Sequence, residues 1–414
     1  MKKHTQPPYK SSEISYKPSG IEWLGEIPKH WEIRRLKYLF YISKEESRDE
    51  FPNVLSLTQN GIIERDITTN KGQLAQNYIG YNIVKRGDII LNPMDLSSGY
   101  AAKSTFEGVI SQAYIKIRPL KTLNLSYYES FFQNLYHYKI LWHLGKGISY
   151  DHRWTLGNDV FLNIKIPLPP LQEQKEIAEF LDSKCEKIQN YIDKKQKLIT
   201  LLQEKKQALI NEVVTKGLNP NIEFKNSDIE YLGLIPHHWE VRRMKFMASI
   251  HNGREQTEIA DENGIYPIYG SGGILGKSMY FIYDKPSVLL GRKGTIDKPL
   301  FVEEPFWTID TMFYTSISKI VLPKYFYYLC LTIDFQFYIS GSAIPSMTQY
   351  DLANISFALP PLQEQKQIAN FLDEKCEKIN SAIEKTKRQI ELIKEYKNTL
   401  INEAVCGRIN LERK

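Results

Sequence analysis

Cysteine is scarce in this sequence, and its spacing gives no pattern of a metal site. Cys185, Cys330, Cys376 and Cys406 lie far apart among 414 residues, whereas zinc ligands in structural sites come in closely spaced pairs. Cys185 and Cys376 stand at matching places of two similar segments. We expect all four cysteines to be reduced and to pack on helices.

Long apolar runs and an export signal are also lacking. No run of about 18 apolar residues occurs, so the sequence predicts no membrane-spanning helix and no membrane partner. Met1, Lys2 and Lys3 are followed by polar residues, which indicates that a signal peptide is absent. We therefore expect a cytoplasmic protein.

Motifs for catalysis are missing as well. Residues 270–278 end like a phosphate-binding loop, but Ser271 stands where a Walker motif requires glycine. Residues 92–95, Asn-Pro-Met-Asp, are similar to the tetrapeptide with which amino-methyltransferases hold a flipped base. They lack its second proline and its aromatic residue, and we interpret them as a turn. No histidine has metal-ligand spacing, and no nucleophile has a neighbouring base.

What the composition does contain is typical of a folded protein with more than one domain. The chain is 42% hydrophobic and 25% charged, and 414 residues exceed one ordinary domain. The formal net charge of +6 permits nucleic acid as a partner but does not require it.

One segment occurs twice. Residues 168–188 and 359–379 begin with Leu-Pro-Pro-Leu-Gln-Glu-Gln-Lys and are identical at 18 of 21 positions, at an offset of 191 residues. The prolines favour a helix start with Pro170 at the first helical position, and Glu173 suits the positive end of the helix dipole. Each copy therefore predicts a long helix.

The apolar residues of these helices recur at intervals of three, four and seven, which is typical of a helix with one narrow apolar seam. Such a seam favours a coiled coil of the two helices within one chain, each about 45 residues and roughly 65 Å long. The alternative is a packing or dimerisation element without further function. The seam residues that we predict to form helix or subunit interfaces are Leu171, Ile177, Leu181, Ile188, Ile192, Leu362, Ile368, Leu372, Ile379 and Ile383.

A second block is also doubled. Residues 21–37 return as residues 229–245 at an offset of 208, so the segment between the repeated blocks is 17 residues shorter in the second half. His30 beside Trp31 matches His238 beside Trp239, and we expect these pairs to pack at the entrance of each domain. The segments between the blocks align almost nowhere.

Both intervening segments contain short apolar or alternating runs separated by glycines, a pattern that predicts compact α/β units with short strands and loops. Arginine and lysine can pair with guanine or phosphate, and glutamine with adenine. The alternative for each loop is an ordinary solvated surface. The loop residues that we predict to contact DNA are Lys146, Tyr150, His152, Arg153, Tyr269, Ser271, Lys277, Arg292, Lys293, Ser346 and Gln349.

The doubled Leu-Pro-Pro-Leu-Gln-Glu-Gln segment, the doubled Gly-x-Ile-Pro-x-x-Trp block and the dissimilar segments between them resemble the specificity subunit of type I restriction–modification systems. Residues 291–296 and 340–347 resemble that family too. The resemblance covers nearly the whole chain. It implies a mixed α/β fold with two target-recognition domains, separated by two long antiparallel helices that form an intramolecular coiled coil with pseudo-two-fold symmetry.

The resemblance also implies a division of the chain and a set of partners. The expected segments are a lead-in (1–20), the first recognition domain (21–167), the first helix (168–216), the second recognition domain (217–356), the second helix (357–407) and a tail (408–414). The expected partners are double-stranded DNA, two modification subunits and restriction subunits. This chain would bind no cofactor itself. S-adenosylmethionine, and ATP with Mg²⁺ in the restriction complex, would act through the partner subunits.

Two other functions remain open from the sequence. A tandem adaptor whose units bind proteins would bind its partners with little dependence on salt, whereas contacts to DNA phosphates weaken steeply as salt rises. A free-standing methyltransferase or nuclease would need the cofactor and catalytic motifs that are missing. We expect a non-catalytic subunit that recognises a split, asymmetric DNA site, and the sequence leaves the recognised bases open.

Overall fold

The fold consists of two compact units. A computed structural model describes residues 15–49, 52–67, 75, 77–147, 154–338 and 345–409. Unit 1 comprises residues 1–194 and 389–414, and unit 2 comprises residues 195–388. In the described part of the chain, no helix is both long enough and apolar enough to cross a membrane.

Unit 1 is a mixed α/β unit to which both long helices contribute a segment. Its elements in chain order are β1 Tyr16–Pro18, β2 Glu26–Pro28, β3 Glu32–Arg35, β4 Phe40–Ile42, β5 Leu55–Thr58, β6 Gly61–Glu64, β7 Asn82–Val84, β8 Ile89–Leu91, β9 Ala101–Lys103, β10 Gly108–Ile110, β11 Ile115–Pro119, α1 Leu125–His137, α2 Asn158–Asn163, β12 Lys165–Leu168 and the long helix α3 Leu171–Lys216. Its central sheet has the order β4-β11-β8-β9.

The sheet and α1 of unit 1 form where apolar residues are concentrated. All three residues of β8 are buried, as the run Ile-Ile-Leu predicts for a strand covered on both faces. Helix α1 begins after Asn124, whose side chain accepts a hydrogen bond of 3.0 Å from the Tyr127 amide. Its buried face carries Tyr127, Tyr128, Phe131 and Phe132.

Unit 2 repeats this plan. Its elements are β13 Phe224–Asn226, β14 Leu234–Pro236, β15 Glu240–Arg243, β16 Ala248–Asn252, β17 Tyr266–Gly270, β18 Gly273–Ser278, β19 Ser287–Gly291, β20 Leu300–Val302, β21 Trp307–Thr308, β22 Met312–Ile317, α4 Pro323–Cys330, α5 Gln349–Asn354, β23 Ser356–Leu359 and the long helix α6 Leu362–Val405. Its central sheet, β16-β22-β19-β20, corresponds strand for strand to that of unit 1.

The segments that the sequence could not align therefore fold alike in their centre. A sheet is held by backbone hydrogen bonds and needs only apolar side chains of suitable size on its buried faces. The differences lie in the added strands. Unit 1 has the hairpin β5-β6 and the pair β7-β10, whereas unit 2 has the three-stranded sheet β18-β17-β21.

The long helices begin later than the sequence predicts. Helix α3 starts at Leu171 rather than at 168, because residues 165–168 form β12 and pair with β3. Pro170 precedes the helix and accepts a hydrogen bond of 3.0 Å from the Gln174 amide, so its prediction as the first helical residue is wrong. Helix α6 likewise starts at Leu362, after β23, and ends at Val405.

The two doubled sequence blocks meet in space, once in each unit. In unit 1, Glu173 accepts a hydrogen bond of 2.7 Å from Trp31 Nε1, and its second oxygen lies 2.6 Å from His30 Nε2. In unit 2, Glu364 binds Trp239 Nε1 at 3.0 Å and His238 Nε2 at 2.6 Å. Both indoles are buried. The repeated residues thus fasten each unit to the first turn of a long helix.

A buried glutamine adds a second repeated connection. Gln174 Oε1 accepts from the Asn124 amide at 2.9 Å, and its Nε2 donates to the Pro169 carbonyl at 2.8 Å. Gln365 makes the equivalent bonds to Leu322 and Pro360 at 2.8 and 2.9 Å. These bonds fix the loop before α1 or α4 to the start of the helix, and they satisfy polar groups that burial would otherwise leave without water.

The helices pair antiparallel, as the contacts inside each unit show. In unit 1, Tyr127 Oη donates to the carbonyl of Val405, at the end of α6, while Asn124 contacts the start of α3. In unit 2, Lys206 Nζ on α3 donates to Asn380 on α6 at 3.0 Å. Each unit therefore holds the start of one helix beside the end of the other.

The four cysteines are free thiols, as predicted. Cys330 and Cys376 are buried within helices α4 and α6, Cys185 is half-buried on α3, and Cys406 directly follows α6. Burial raises the pKa of Cys406 to about 12, which keeps this thiol protonated and unreactive near neutral pH.

Candidate nucleic-acid interface

A basic cleft lies at one end of the central sheet of unit 2. Neighbouring strands β16, β22 and β19 bring Asn252, Phe313 and Gly291 to this end, because they pair antiparallel with Asn252 opposite Phe313 and Gly291 opposite Met312. The cleft has a volume of about 320 Å³, and its lining consists of Asn252, Arg292, Lys293, Phe313, Ser346, Met347, Thr348 and Gln349.

Two loops that are distant in the sequence form the wall of the basic cleft. The Met347 amide donates to the Arg292 carbonyl at 3.0 Å, and the Gly294 amide donates to the Pro345 carbonyl at 2.9 Å. Lys293 and Ser346 form an isolated bridge between these loops. The structure thus brings together four of the predicted DNA-contacting residues, namely Arg292, Lys293, Ser346 and Gln349.

The guanidinium of Arg292 is held in position and half-exposed. Its Nη1 donates to the Asp310 carbonyl at 3.2 Å, and its centre lies 5.9 Å from the centroid of the Phe313 ring. A guanidinium has five N–H donors in a planar fork. An arginine positioned in this way can pair with the acceptor edge of guanine or with a phosphate.

The first turn of α5 completes the basic cleft. Thr348 caps this helix by accepting from the Asp351 amide at 3.1 Å. Gln349 Nε2 donates to the Ile250 carbonyl at 3.1 Å, which fixes the amide group relative to β16. A preorganised glutamine of this kind can bind adenine through its remaining amide donor and acceptor.

The glycine-rich segment contributes less than the sequence predicts, because most of it is extended strand. Residues 266–278 form the β17-β18 hairpin, whose tip contacts the segment before β22 through a hydrogen bond of 3.4 Å from the Ser271 amide to Thr311 Oγ1. Lys277 is exposed within β18 opposite Pro267. Tyr269 packs edge-on against Phe306 at 6.2 Å between ring centroids, and burial raises its pKa. Neither Tyr269 nor Lys277 lines the cleft.

Unit 1 has a different loop at the corresponding place. The Leu156 amide donates to the Pro93 carbonyl at 2.9 Å, as the Met347 amide does to Arg292 in unit 2. Asn92 Oδ1 accepts from the Met94 and Asp95 amides at 3.0 and 3.2 Å, which makes the predicted turn. Asn-Pro-Met-Asp in unit 1 therefore stands where Gly-Arg-Lys-Gly stands in unit 2.

Only one of the residues predicted to bind DNA in unit 1 lies in the described part of the chain. Lys146 pairs with Thr155 through two backbone hydrogen bonds of 2.9 and 3.0 Å, next to the Asn92–Asp95 turn. Tyr150, His152 and Arg153 lie outside the described residues. Asn92, Asp95 and Asn252 were missed from the sequence. The available signal was a position at or near a strand end, since Asn252 is the last residue of β16 and Asn92 directly follows β8.

The predicted interface residues of the helices occupy several environments. Leu171 and Ile379 are half-buried, and Leu362 is exposed. The other seven are buried, namely Ile177, Leu181, Ile188, Ile192, Ile368, Leu372 and Ile383. In unit 2, Ile368 and Leu372 share a core with three residues of α3, namely Val213, which belongs to the predicted apolar seam, and Ile210 and Val214, which do not.

Comparison with known proteins agrees with this architecture. The model of a protein family described as "Type I restriction modification DNA specificity domain" matches residues 28–203 and 236–392. The type I restriction enzyme MjaVIII specificity subunit of Methanocaldococcus jannaschii is 25% identical over 434 residues, covering 93% of this chain and 94% of that protein. A putative MjaX specificity subunit of the same organism is 24% identical, covering 94% and 96%.

A solved structure has the same fold. This chain superposes with a TM-score of 0.71 and 15% identity on a chain from work on complex assembly and conformational transition of the type I R-M system. The match covers 92% of this chain and 99% of the other. With both repeated regions matched, the chain belongs to the family of type I restriction–modification DNA specificity subunits.

Proposed function

We propose that the basic cleft of unit 2 binds one half of a split DNA site and that the Asn92–Asp95 loop region of unit 1 binds the other half. DNA recognition without catalysis is the role of specificity subunits, to which this chain belongs. The observation that carries the proposal is the convergence of Arg292, Lys293 and Gln349 in one cleft. These side chains supply donors and acceptors for base edges and positive charge for phosphates.

The different loops of the two units support an asymmetric site. Unit 1 presents an asparagine and an aspartate at the place where unit 2 presents an arginine and a lysine. Acidic and amide side chains prefer other base edges than arginine does, since carboxylates accept from cytosine and arginine donates to guanine. The two halves of the DNA site should therefore differ in sequence.

The partners of this complex follow from the family. We propose that the chain binds two modification subunits, which use S-adenosylmethionine to methylate adenine, and that restriction subunits join with ATP and Mg²⁺. The chain itself would bring sequence specificity to this complex.

The first test is sequencing of methylated adenine in the host genome with and without this gene. The expected result is a split motif with unlike halves whose methylation disappears on deletion. Methylation that is unchanged in an actively methylating host would contradict the proposed function.

The second test uses a duplex that carries this motif and the complex with the modification subunits. Arg292→Ala should weaken specific binding by about tenfold to a hundredfold, the equivalent of about 1–3 kcal/mol for a bidentate base contact. The loss should disappear on a duplex with a scrambled unit 2 half-site.

Lys293→Ala should instead weaken binding to all duplexes and lower the salt slope by about one. Lys319→Ala is the matched control, since exposed Lys319 follows the end of β22 that is distant from the cleft. Equal losses for Lys293→Ala and Lys319→Ala would argue against the cleft as the binding site.

A further inference from the structure

A second cavity of unit 2 lies away from the basic cleft, at the end of α3. It has a volume of about 750 Å³, and the lining residues that matter here are Glu212, Lys216, Glu230, Tyr231, Asp334 and Phe337. We call it the α3-end groove. It shares no residue with the basic cleft.

The α3-end groove combines apolar walls with negative charge. Phe337 on its rim is 87% exposed, and Tyr231 is exposed as well. Three carboxylates, those of Glu212, Glu230 and Asp334, line the groove, while Lys216 is the one cationic residue among the described residues that line it. A groove of this kind suits a cation that carries an apolar or planar body.

The repeat of the chain shows which cation fits. Residues 209–212 at the end of α3 and residues 400–403 at the end of α6 are both Leu-Ile-Asn-Glu, so Glu212 corresponds to Glu403. A glycine with positive φ follows each segment, at +75° for Gly217, five residues after Glu212, and at +72° for Gly407, four residues after Glu403. Such a glycine directs the next residue back along the helix end.

In unit 1, the residue after this glycine is Arg408, and its guanidinium binds beside the end of α6. Its Nη1 lies 3.2 Å from Glu403 Oε1, and its Nη2 donates to the Leu24 carbonyl at 2.8 Å. The side chain of Arg408 is 27% exposed. A carboxylate and a carbonyl together therefore bind a guanidinium at the end of α6.

In unit 2, the residue after the glycine is Leu218, which is 42% exposed. Glu212 and Leu232, the counterparts of Glu403 and Leu24, both line the open groove. Unit 2 thus keeps the counterparts of both residues that bind Arg408, whereas the residue after its glycine is a leucine that does not line the groove. Charge-assisted hydrogen bonds to a carboxylate and stacking on aromatic rings are the interactions that arginine forms best.

We propose that an arginine of the modification subunit docks in the α3-end groove, in the way that Arg408 of this chain docks in unit 1. The carboxylates of the groove repel DNA phosphates, so the occupant is a protein. Arg408 of a second copy is a poor occupant, because it is already bound in its own unit 1. The proposed function supplies the identity of the partner, and the inference rests on it in that respect.

The test measures the affinity of the full-length chain for the purified modification subunit by titration calorimetry. Glu212→Gln removes the negative charge and should weaken binding roughly tenfold, as loss of one charge-assisted hydrogen bond does. Leu218→Arg places an arginine directly after the glycine, as Arg408 follows Gly407 in unit 1, and it should weaken binding at least as much because its guanidinium would compete for Glu212. Glu204→Gln, an exposed glutamate earlier on α3, is the control and should bind normally.

A stability measurement on the same variants tests the guanidinium site without the partner. Leu218→Arg should raise the unfolding temperature of the otherwise unchanged chain by a few degrees, and the gain should vanish in the Glu212→Gln background. Absence of this coupling would overturn the arginine site.

The outcomes separate the inference from the proposed function. Normal affinity of both Glu212→Gln and Leu218→Arg, in a chain that binds the modification subunit, would overturn the docking site and leave the proposed function intact. Failure of the unchanged chain to bind that subunit would overturn the proposed partner and, with it, the proposed occupant.

Discussion

Units 1 and 2 are alike where they contact the long helices and different where they present loops. Glu173 and Glu364 each bind one histidine and one tryptophan, and Gln174 and Gln365 each join a loop to a helix start. The sequence repeats include these residues. The comparison teaches that the attachment of the units to the helices is fixed residue by residue, whereas the sheets tolerate almost any apolar sequence.

The loops after β8 and β19 share a backbone hydrogen bond but differ in their side chains. The backbone hydrogen bond to Pro93 in unit 1 and to Arg292 in unit 2 has the same place in both sheets, but the side chains differ in charge and shape. A constant scaffold with exchangeable loops is suited to recognising two unlike sequences, because loops change without disturbing the core.

Removal of the buried indoles should have the largest effect and tests whether each unit depends on its own attachment. Trp239→Ala removes a side chain that is 0% exposed together with its bond to Glu364, and it should destabilise unit 2 by about 3–5 kcal/mol. Trp31→Ala should do the same to unit 1. Hydrogen exchange of the intact chain would show which amides lose protection.

The control for the indoles is Phe337→Ala, which truncates an exposed ring and should change stability by less than about 0.5 kcal/mol. If Trp239→Ala lowered the protection of amides from hydrogen exchange equally in both units, the attachment of one unit to its helix would not be independent of the other. The interpretation of two separately attached units would then be wrong.

The buried glutamines should have an intermediate effect. Gln365→Ala leaves the Leu322 amide and the Pro360 carbonyl buried without this partner, at a cost of about 1–3 kcal/mol. Gln174→Ala should cost a similar amount in unit 1, and urea unfolding measures both. Gln363→Ala, an exposed neighbour, should be neutral. A large difference between the Gln174 and Gln365 variants would show that the repeated bonds are unequal.

Glu129 should have the smallest effect on stability. It distinguishes the two units, since the corresponding residue of unit 2 is Tyr327. Burial raises the pKa of Glu129, although its Oε1 accepts from the Lys103 amide at 2.9 Å. With the folded pKa above the unfolded value near 4.5, ionisation destabilises unit 1 at neutral pH, and this cost is lost as pH falls through the folded pKa.

Glu129→Gln keeps an acceptor and removes the charge. The variant should therefore be more stable than the unchanged chain at pH 7, by less than about 1 kcal/mol, and the gain should shrink as pH falls towards 4. Thermal unfolding at several pH values measures it, with exposed Glu176→Gln as the control. A gain that is independent of pH would contradict the role of burial.

Much of the architecture could be predicted from particular residues. The apolar seam from Ile177 to Val213 predicted the long helix, because intervals of three, four and seven that persist over many turns are typical only of a helix. The short strands β12 and β23 were missed. Four residues before a pair of prolines carry too little alternation to distinguish a strand from the start of a helix.

The meeting of the proposed DNA-contacting residues was predictable only in part. Residue type singles out Arg292, Lys293, Ser346 and Gln349, whereas the sequence predicts only a turn at Asn92 and Asp95. The position of this turn beside Leu156 depends on the hydrogen bond between Leu156 and Pro93, and no local sequence pattern predicts a contact between residues so far apart in the chain.

The sequence by itself determined the two long helices, the doubled attachment residues and the family of this chain, because those features lie in local periodicity and in repetition. The tertiary structure decided which loops meet in the basic cleft, and it decided that Glu212 and Leu232 line an open groove in unit 2 whereas their counterparts in unit 1 bind Arg408. Such contacts depend on strand order and on helix ends brought together by the fold. These contacts join residues that are far apart in the chain, whereas local sequence patterns report only on residues that are close together in it.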